Sequence, residues 1–423
     1  MKLEQLAAQF GTPAYVYDLA AVRRAHADLR SALPSTAHIY YSLKANPHPR
    51  LVAELAGLGC RAEVSSPGEV EAAISGGVDP GVMLLTGPGK TEDTIEHALR
   101  CGVRRFSVDS PHDLGNVGAL SARHGAESQC LLRVNADEPV PGMGLTMTGK
   151  ASQFGADASW VAEHPQLFRE SGAARVTGLH LYMGTNLDDE EVLFRQFQIA
   201  AATAARLRTA VGELTEVDLG GGFGTAYARA GRRPRFPTLA GRLSGLLDAD
   251  LPGWRDGCPR IAFESGRYLV GDCGVLICRV VDVKSSKGQM FAVLDAGVNH
   301  LGGMAGLRRL PPIVPTIAPL PSDDGAPDLV PTAVVGPLCT PLDVFVRDAQ
   351  LPPLAVGQLL SIPNVGAYGL TASLLAFLGH LAPVEVVTDG DQIVSVSRLG
   401  LIRAETVAWH QPVPVHSALE GSP

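Results

Sequence analysis

His38-Ile39-Tyr40-Tyr41-Ser42-Leu43-Lys44-Ala45-Asn46-Pro47 is the stretch on which the reading of this chain turns. Ile39 to Leu43 is an apolar, aromatic run of strand type, and Asn46-Pro47 stops it. Alternate side chains of a strand share a face, so Tyr40, Ser42 and Lys44 are expected together. A buried ammonium is costly unless it is paired or neutral. Desolvation lowers a lysine's pKa and frees its amine to attack a carbonyl and form a Schiff base, which is the role expected of Lys44. The structural alternative is a lysine laid along the strand end with its charge in water.

Outward from this strand, apolar runs of the same kind recur. With His38–Lys44 they are Arg61–Ser65, Val82–Thr86, Arg105–Asp109, Cys130–Val134, Val176–Tyr182, Thr215–Leu219 and Arg260–Glu264, eight in all. Stretches of helical period separate them, among them Pro49–Leu58, Gly68–Ser75, Thr91–Arg100 and Glu190–Arg208. Eight β/α units match a (β/α)8 TIM barrel in number and size. An open doubly wound sheet is the other arrangement such alternation allows, but the GxGxxG fingerprint is missing after the first strand.

Beyond residue 267 the texture becomes β-rich. Val275–Ser285, Met290–Asp295, Ala333–Val335, Gln358–Ile362, Val384–Val387 and Ile393–Arg398 read as strands, and Asp389-Gly390-Asp391 reads as the hairpin turn of the last pair. A helix is expected near Thr371–Leu378. Pro311 to Pro331, with seven prolines, is expected to be an extended loop. Ala14–Tyr17 is a strand free to join the C-terminal sheet. The expected division is a barrel over 31–267, with 1–30 and 268–423 forming a β-rich domain of barrel or sandwich type.

With 46% hydrophobic and 18% charged residues, the composition is that of an ordinary globular protein. A net charge of -8 offers no basic stripe and argues against nucleic acid as the main partner. The N-terminal residues lack a secretory apolar segment, and no apolar run reaches the roughly 20 residues of a membrane span. The seven cysteines are odd in number and lack CxxC spacing, which suits free thiols in a cytoplasmic protein and gives no zinc signal.

Barrel chemistry collects where strands end. Lys44 ends the first strand, Glu63 and Ser65 the second, Asp109 the fourth and Arg133 the fifth, and His180 lies in the sixth. Gly220-Gly221-Gly222-Phe223-Gly224 follows the seventh, and Glu264-Ser265-Gly266-Arg267 closes the eighth. Glycines let backbone N–H groups approach an anion, and a following helix N-terminus adds positive potential. A glycine run after strand seven, beside a strand-end lysine, points to a phosphate-bearing aldehyde, pyridoxal phosphate. Glu264 is then placed to keep the pyridine nitrogen protonated, or else to pair with Arg267. His180 can stack on the ring or serve as a hydrogen-bonded core histidine. Gly336-Pro337-Leu338-Cys339-Thr340-Pro341-Leu342-Asp343 is a rigid turn with a thiol and a carboxylate, and Gly366-Ala367-Tyr368 is a turn with one phenol. Cys339 alone would read as a small buried hydrophobe.

Taken in order, Tyr41–Asn46, Gly178-Leu179-His180, Asp218–Gly224, Glu264–Arg267, Gly336–Cys339 and Gly366-Ala367-Tyr368 resemble the motifs of the fold-type III pyridoxal-phosphate decarboxylases. These are the diaminopimelate and ornithine decarboxylase relatives, which share the alanine-racemase barrel. The resemblance implies that Lys44 carries the cofactor and His180 stacks on its ring. It implies that Gly220, Gly221, Gly222 and Gly224 hold the phosphate with Tyr368, that Gly266 and Arg267 also border the cofactor, and that Glu264 meets the ring nitrogen. It also implies a head-to-tail homodimer, in which Cys339 arrives from the second subunit to protonate the carbanion. Arg133, Thr340, Asp343 and Tyr368 are expected around the substrate, Asp343 near its distal end. A carboxylate at Glu264, where racemases place arginine, favours decarboxylation. Non-catalytic pyridoxal-binding relatives lack the second domain and the Cys339 motif.

Two departures bear on substrate. Diaminopimelate decarboxylases carry Cys-Glu-Ser, with the glutamate reading the distal amino group; here Thr340-Pro341 stands instead. They also carry an arginine for the distal carboxylate after an Asn-Asp-Leu run; here Asn299-His300-Leu301 leads into Gly302-Gly303-Met304, with Arg308 and Arg309 as the nearest substitutes. A buried zwitterionic end without partners is strongly disfavoured. Cys-Thr-Pro-Leu-Asp resembles the subgroup of secondary-metabolite pathways, so the expected substrate is a non-standard or carrier-bound amino-acid derivative, with diaminopimelate as the alternative.

Overall fold

Eight parallel strands close on themselves in chain order: His38–Ser42, Arg61–Val64, Leu84–Leu85, Arg105–Val108, Ser128–Asn135, Ala174–His180, Glu216–Asp218 and Arg260–Ser265. The last pairs with the first, Glu264 opposite Tyr40, which completes the barrel anticipated above. The computed structural model describes residues 2–139, 149–212, 214–302, 314–321 and 328–403. The register sets Arg133, His180, Asp218 and Ala262 side by side on four neighbouring strands. Their carboxyl ends therefore converge on one mouth.

Local chemistry starts and stops the elements. Ser66 and Thr91 cap Pro67–Ser75 and Glu92–Arg100, each hydroxyl accepting from a backbone N–H at 3.2 Å. Ile95, Ala98 and Leu99 then face the barrel. The third strand is shorter than expected because Pro80–Val82 forms a 3-10 turn that takes Val82. Tyr40, Leu84, Leu131 and Ala262 form a separate buried cluster. Beside it Arg105 meets Glu216 at 2.6 Å and Tyr40 donates to Glu216 at 3.0 Å. Removing one partner of such a buried pair costs about 3–5 kcal/mol.

The second sheet runs Val344–Leu351, Val330–Val335, Gln289–Leu294, Gly274–Ser286, Ala14–Asp18, Val384–Asp389, Gln392–Arg398, with Leu359–Ile362 and Ala318–Leu320 branching from Gly274–Ser286. Ala14–Asp18 lies antiparallel to Gly274–Ser286 and parallel to Val384–Asp389, so the N-terminal strand does join the C-terminal sheet. Three expectations need correction. Val344–Leu351 is a strand that the sequence reading passed over. The proline-rich stretch contributes Ala318–Leu320 to the sheet and places Pro331 inside Val330–Val335. In place of a helix over Thr371–Leu378 there are two 3-10 turns, Leu370–Ala372 and Phe377–Gly379. Ser373 Oγ donates to the Gly369 carbonyl at 2.7 Å, and Leu374, Phe377 and Leu378 face outward, so no apolar stripe holds a helix there. Among the described residues, no helix is long and apolar enough to cross a membrane.

Candidate active site

Lys44 lies just past the end of its strand, in the 3-10 turn Leu43–Ala45, and not within the strand's alternation. Its Nζ stands 2.9 Å from both carboxylate oxygens of Glu63. The Lys44 side chain is 40% exposed at the mouth; partial desolvation works to lower its ammonium, but Glu63 and then Glu264 outweigh it and hold the amine above the ordinary lysine range. The expected depression is thus reversed, because a carboxylate from the neighbouring strand supplies the partner. Glu63 is 2% exposed; burial works to raise it, yet Lys44 and the Ser42 and Thr86 hydroxyls carry it below the usual carboxylate range. Thr86 Oγ1 donates to Glu63 at 2.6 Å. Nearby, burial and the Glu63 charge push the Glu69 carboxyl up to about 7 while it accepts from Ser65 N–H at 2.7 Å.

The opposite wall is a buried acid–imidazole group. His180 Nδ1 meets Ser107 Oγ at 2.8 Å, and its Nε2 stands 3.1 Å from Glu264 Oε1. Neither Nε2 nor Oε1 completes a well-formed hydrogen bond, and Asp218 Oδ2 and Ser265 Oγ are likewise unmet. Burial and then the Glu264 charge push Asp218 well above its ordinary range while its Oδ1 accepts from Gly220 N–H at 2.9 Å. Buried polar atoms without partners are costly, so this wall is built for a polar ring laid against it. The donor atoms of His180, Asp218 and Glu264 also stand close enough together to share a cation.

The glycine run forms the adjoining rim. Gly220 takes φ 73°, and a Cβ there would lie 2.4 Å from the Leu181 carbonyl oxygen; one on Gly221 would lie 2.6 Å from that of Glu264. Only glycine fits, and backbone lines the site. The following long helix, Leu239–Asp250, begins well beyond the run, so the expected helix N-terminus does not sit on it. Gly266 packs instead on Ala45 and Ser42, where a Cβ would come within 2.7 Å, and Arg267 stacks 4.6 Å over the Tyr368 ring. Tyr368 N–H donates to the Ala45 carbonyl at 2.7 Å, which binds the phenol's turn to the lysine's.

Arg133 lies on this mouth, its guanidinium 4.5 Å from the Phe154 ring centroid and 5.9 Å from that of Tyr182. Tyr182, two residues beyond His180, stands 5.8 Å from Lys44 Nζ. Glu69, Thr86, Ser107 and Tyr182 were not singled out from the sequence; Thr86 and Tyr182 carried a signal, each standing at the end of an expected strand. Asp109 serves the scaffold, accepting from Gly155 N–H at 2.6 Å and flanking the buried Lys90 with Asp113.

The Cys339 loop lies elsewhere. Cys339 is exposed, and no hydrogen bond, ion pair or ring contact among the described residues joins it to Lys44, His180 or Glu264. Thr340 Oγ1 accepts from Leu342 N–H at 3.3 Å, and Leu342 is 78% exposed. Asp343 is buried beneath the loop, and its oxygens accept from Val298 N–H and Leu338 N–H, both at 2.8 Å. Gly302 N–H donates to Ser373 Oγ at 2.9 Å; Gly303, Met304, Arg308 and Arg309 lie outside the described residues.

Residues 19–271 match the family model described as pyridoxal-dependent decarboxylase, pyridoxal binding domain. An L-glutamyl-[BtrI acyl-carrier protein] decarboxylase from Niallia circulans is 28% identical over 407 residues, 94% of each chain. A diaminopimelate decarboxylase from Pseudomonas aeruginosa is 32% identical, covering 94% of this chain and 92% of that one. A 2-[(L-alanin-3-ylcarbamoyl)methyl]-2-hydroxybutanedioate decarboxylase from Staphylococcus aureus is 28% identical, covering 90% and 95%. The crystal structure of Helicobacter pylori diaminopimelate decarboxylase with L-lysine superposes at a TM-score of 0.79 and 26% identity, covering 92% and 95%.

Proposed function

The chain belongs to the pyridoxal-dependent decarboxylases, and from that premise we propose that it removes the α-carboxylate of a non-standard or carrier-bound amino-acid derivative in a secondary biosynthetic pathway. Pyridoxal phosphate, when bound, supplies the electron sink for the pair left as carbon dioxide departs. Lys44 would anchor it, with Glu63, 2.9 Å from Nζ, placed to take the ammonium's proton so that the amine can react. Glu264, whose Oε1 lacks a partner, would accept the ring N–H, and His180, held by Ser107, would support the ring. The glycine run, Gly266, Arg267 and Tyr368 would hold the phosphate end, with Arg267 stacked on Tyr368, leaving Arg133 and Tyr182 for the substrate. Cys339 of the partner subunit returns the proton, in a two-fold homodimer whose contact includes the exposed Cys339–Leu342 loop.

The observation that carries the substrate reading is the use of Asp343. It is the carboxylate of the Cys339 turn, and both its oxygens are taken by backbone N–H groups. Thr340, in the place where diaminopimelate decarboxylases carry glutamate, is neutral and turned onto Leu342 N–H. Among the described residues of this turn a distal ammonium meets no carboxylate left free of backbone bonds, and specific recognition of such a group needs one. The carrier-protein and hydroxybutanedioate enzymes among the relatives support this reading, and the Pseudomonas enzyme supports diaminopimelate as the alternative. The test compares kcat/KM for carbon dioxide release from meso-diaminopimelate, ornithine, lysine, arginine, glutamyl-carrier protein and citryl-diaminopropionate. One of the last two should lead. Turnover of meso-diaminopimelate near about 10⁴ M⁻¹s⁻¹ or above overturns the reading.

A further inference from the structure

We propose that Glu71, His97 and Cys101 form a zinc site on the outside of the barrel that ties two of its helices together. Glu71 lies on Pro67–Ser75, His97 lies in the last turn of Glu92–Arg100, and Cys101 caps that helix. His97 and Cys101 are four residues apart, so their side chains share a face, and that face looks onto Glu71. His97 Nε2 stands 3.0 Å from Glu71 Oε1 and 3.6 Å from Cys101 Sγ, and Sγ stands 3.9 Å from Glu71 Oε1.

Those separations fit zinc. Bonds of roughly 2.0–2.1 Å to nitrogen or oxygen and about 2.3 Å to sulfur, at tetrahedral angles, set the donors about 3.4–3.6 Å apart. Each observed separation lies within about 0.4 Å of its ideal value, so closure needs only small rotamer shifts. One thiolate, one imidazole and one carboxylate make a donor set that zinc accepts and that magnesium and calcium do not. Thiolate and carboxylate together balance the charge of a divalent ion. The neighbouring cation, Arg100, is engaged with Glu96 at 3.1 Å, and the end of the helix adds negative potential. Three protein ligands leave a fourth position for water, on the side where Glu71 is 58% exposed.

The place of the cluster indicates its use. Cys101 shortly precedes the fourth barrel strand, which starts at Arg105, so the cluster sits at the amino end of the barrel. Lys44 and Glu264 occupy the carboxyl end. That end of such barrels serves stability and not chemistry. An ion bridging two helices binds the folded chain and not the unfolded one, so it stabilises the fold. The absence of CxxC spacing hid the site from sequence, since its third ligand comes from another helix.

The test titrates the cofactor-loaded enzyme with Co²⁺, whose thiolate charge-transfer absorption reports sulfur ligation, and with Zn²⁺ followed by thermal melting. One Co²⁺ per chain should bind with a thiolate band. Cys101→Ser should abolish the band, and His97→Ala should weaken binding on the order of 100-fold. Zinc at about 100 times its Kd should raise the wild-type Tm by about 3 °C and leave that of Cys101→Ser unmoved. Decarboxylase turnover should be the same in wild type and both variants. No band in the wild type, or a band that persists in Cys101→Ser, overturns the site. A band without a Tm shift overturns the helix-tying role.

Discussion

Replacing Asp343 by asparagine asks how the Cys339 loop, proposed to return the proton, is held. Asp343 is 3% exposed, and its two oxygens accept from Val298 N–H and Leu338 N–H at 2.8 Å. Asparagine keeps the shape but turns one oxygen into an NH₂ that faces an N–H donor. One charge-assisted bond worth about 1.5–3 kcal/mol is lost, and the donor left behind stays buried. Burial pushes the Asp343 carboxyl up, which removes part of the carboxylate's advantage, so the net cost is about 2 kcal/mol. Leu338 immediately precedes Cys339, and a Cβ on Gly297 would lie 2.5 Å from Asp343 Oδ1, so the packing offers no second arrangement. Cys339 then spends most of its time out of position, and kcat should fall by about 10–100-fold, at 1.36 kcal/mol per tenfold. Steady-state kinetics with saturating pyridoxal phosphate, alongside thermal melting, should show that fall with KM nearly unchanged and Tm lowered by a few degrees. A rise in KM with kcat and Tm unchanged would refute the reasoning and return Asp343 to the substrate's distal end.

Two further outcomes follow from the site and the second sheet. Cys339→Ala should slow turnover by about 10²–10⁴-fold, and mixing it with inactive Lys44→Ala subunits should restore part of the activity; no recovery after verified subunit exchange would mean that each chain builds its own site. Burial pushes the Glu385 carboxyl up to about 7, so the folded chain binds that proton more tightly than the unfolded one. The resulting stability is complete below pH of about 4 and is lost as pH rises through 7, up to about 3 kcal/mol. Glu385→Gln keeps an acceptor for the Tyr17 hydroxyl, 3.2 Å away, and should flatten the fall in Tm between pH 5 and 8; an unchanged slope contradicts the assignment.

The barrel was legible because its eight strands are short apolar runs alternating with stretches of helical period, several of them opened by a capping Ser, Thr or Asp such as Ser66, Thr91, Ser110 and Asp189. Val344–Leu351 was not, because only Phe345 and Leu351 of its side chains are buried and no alternation marks it. Thr371–Leu378 misled for the opposite reason: its leucines and phenylalanine look like a helical stripe, yet those of the turn face outward. At the site, Lys44, His180, Glu264 and the glycine run stand out as residue types at strand ends, and the barrel brings them together. The direction in which the Lys44 amine is shifted was misjudged because it depends on Glu63, which reaches it from the neighbouring strand in a way that spacing alone does not reveal. The hydrogen bonds of Asp343 were not legible either, because one of its two amide donors, Val298, comes from a loop distant in sequence, while the other, Leu338, belongs to its own turn.

The most direct test of the account is to reduce the cofactor-loaded enzyme with borohydride and map the labelled peptide. The described lysines include a buried one, Lys90, 2.7 Å from Asp113 and donating to the Gly87 carbonyl at 2.6 Å. The account predicts one pyridoxyl group per chain, on Lys44, and none in Lys44→Ala. A label on Lys90 or Lys287 would contradict it.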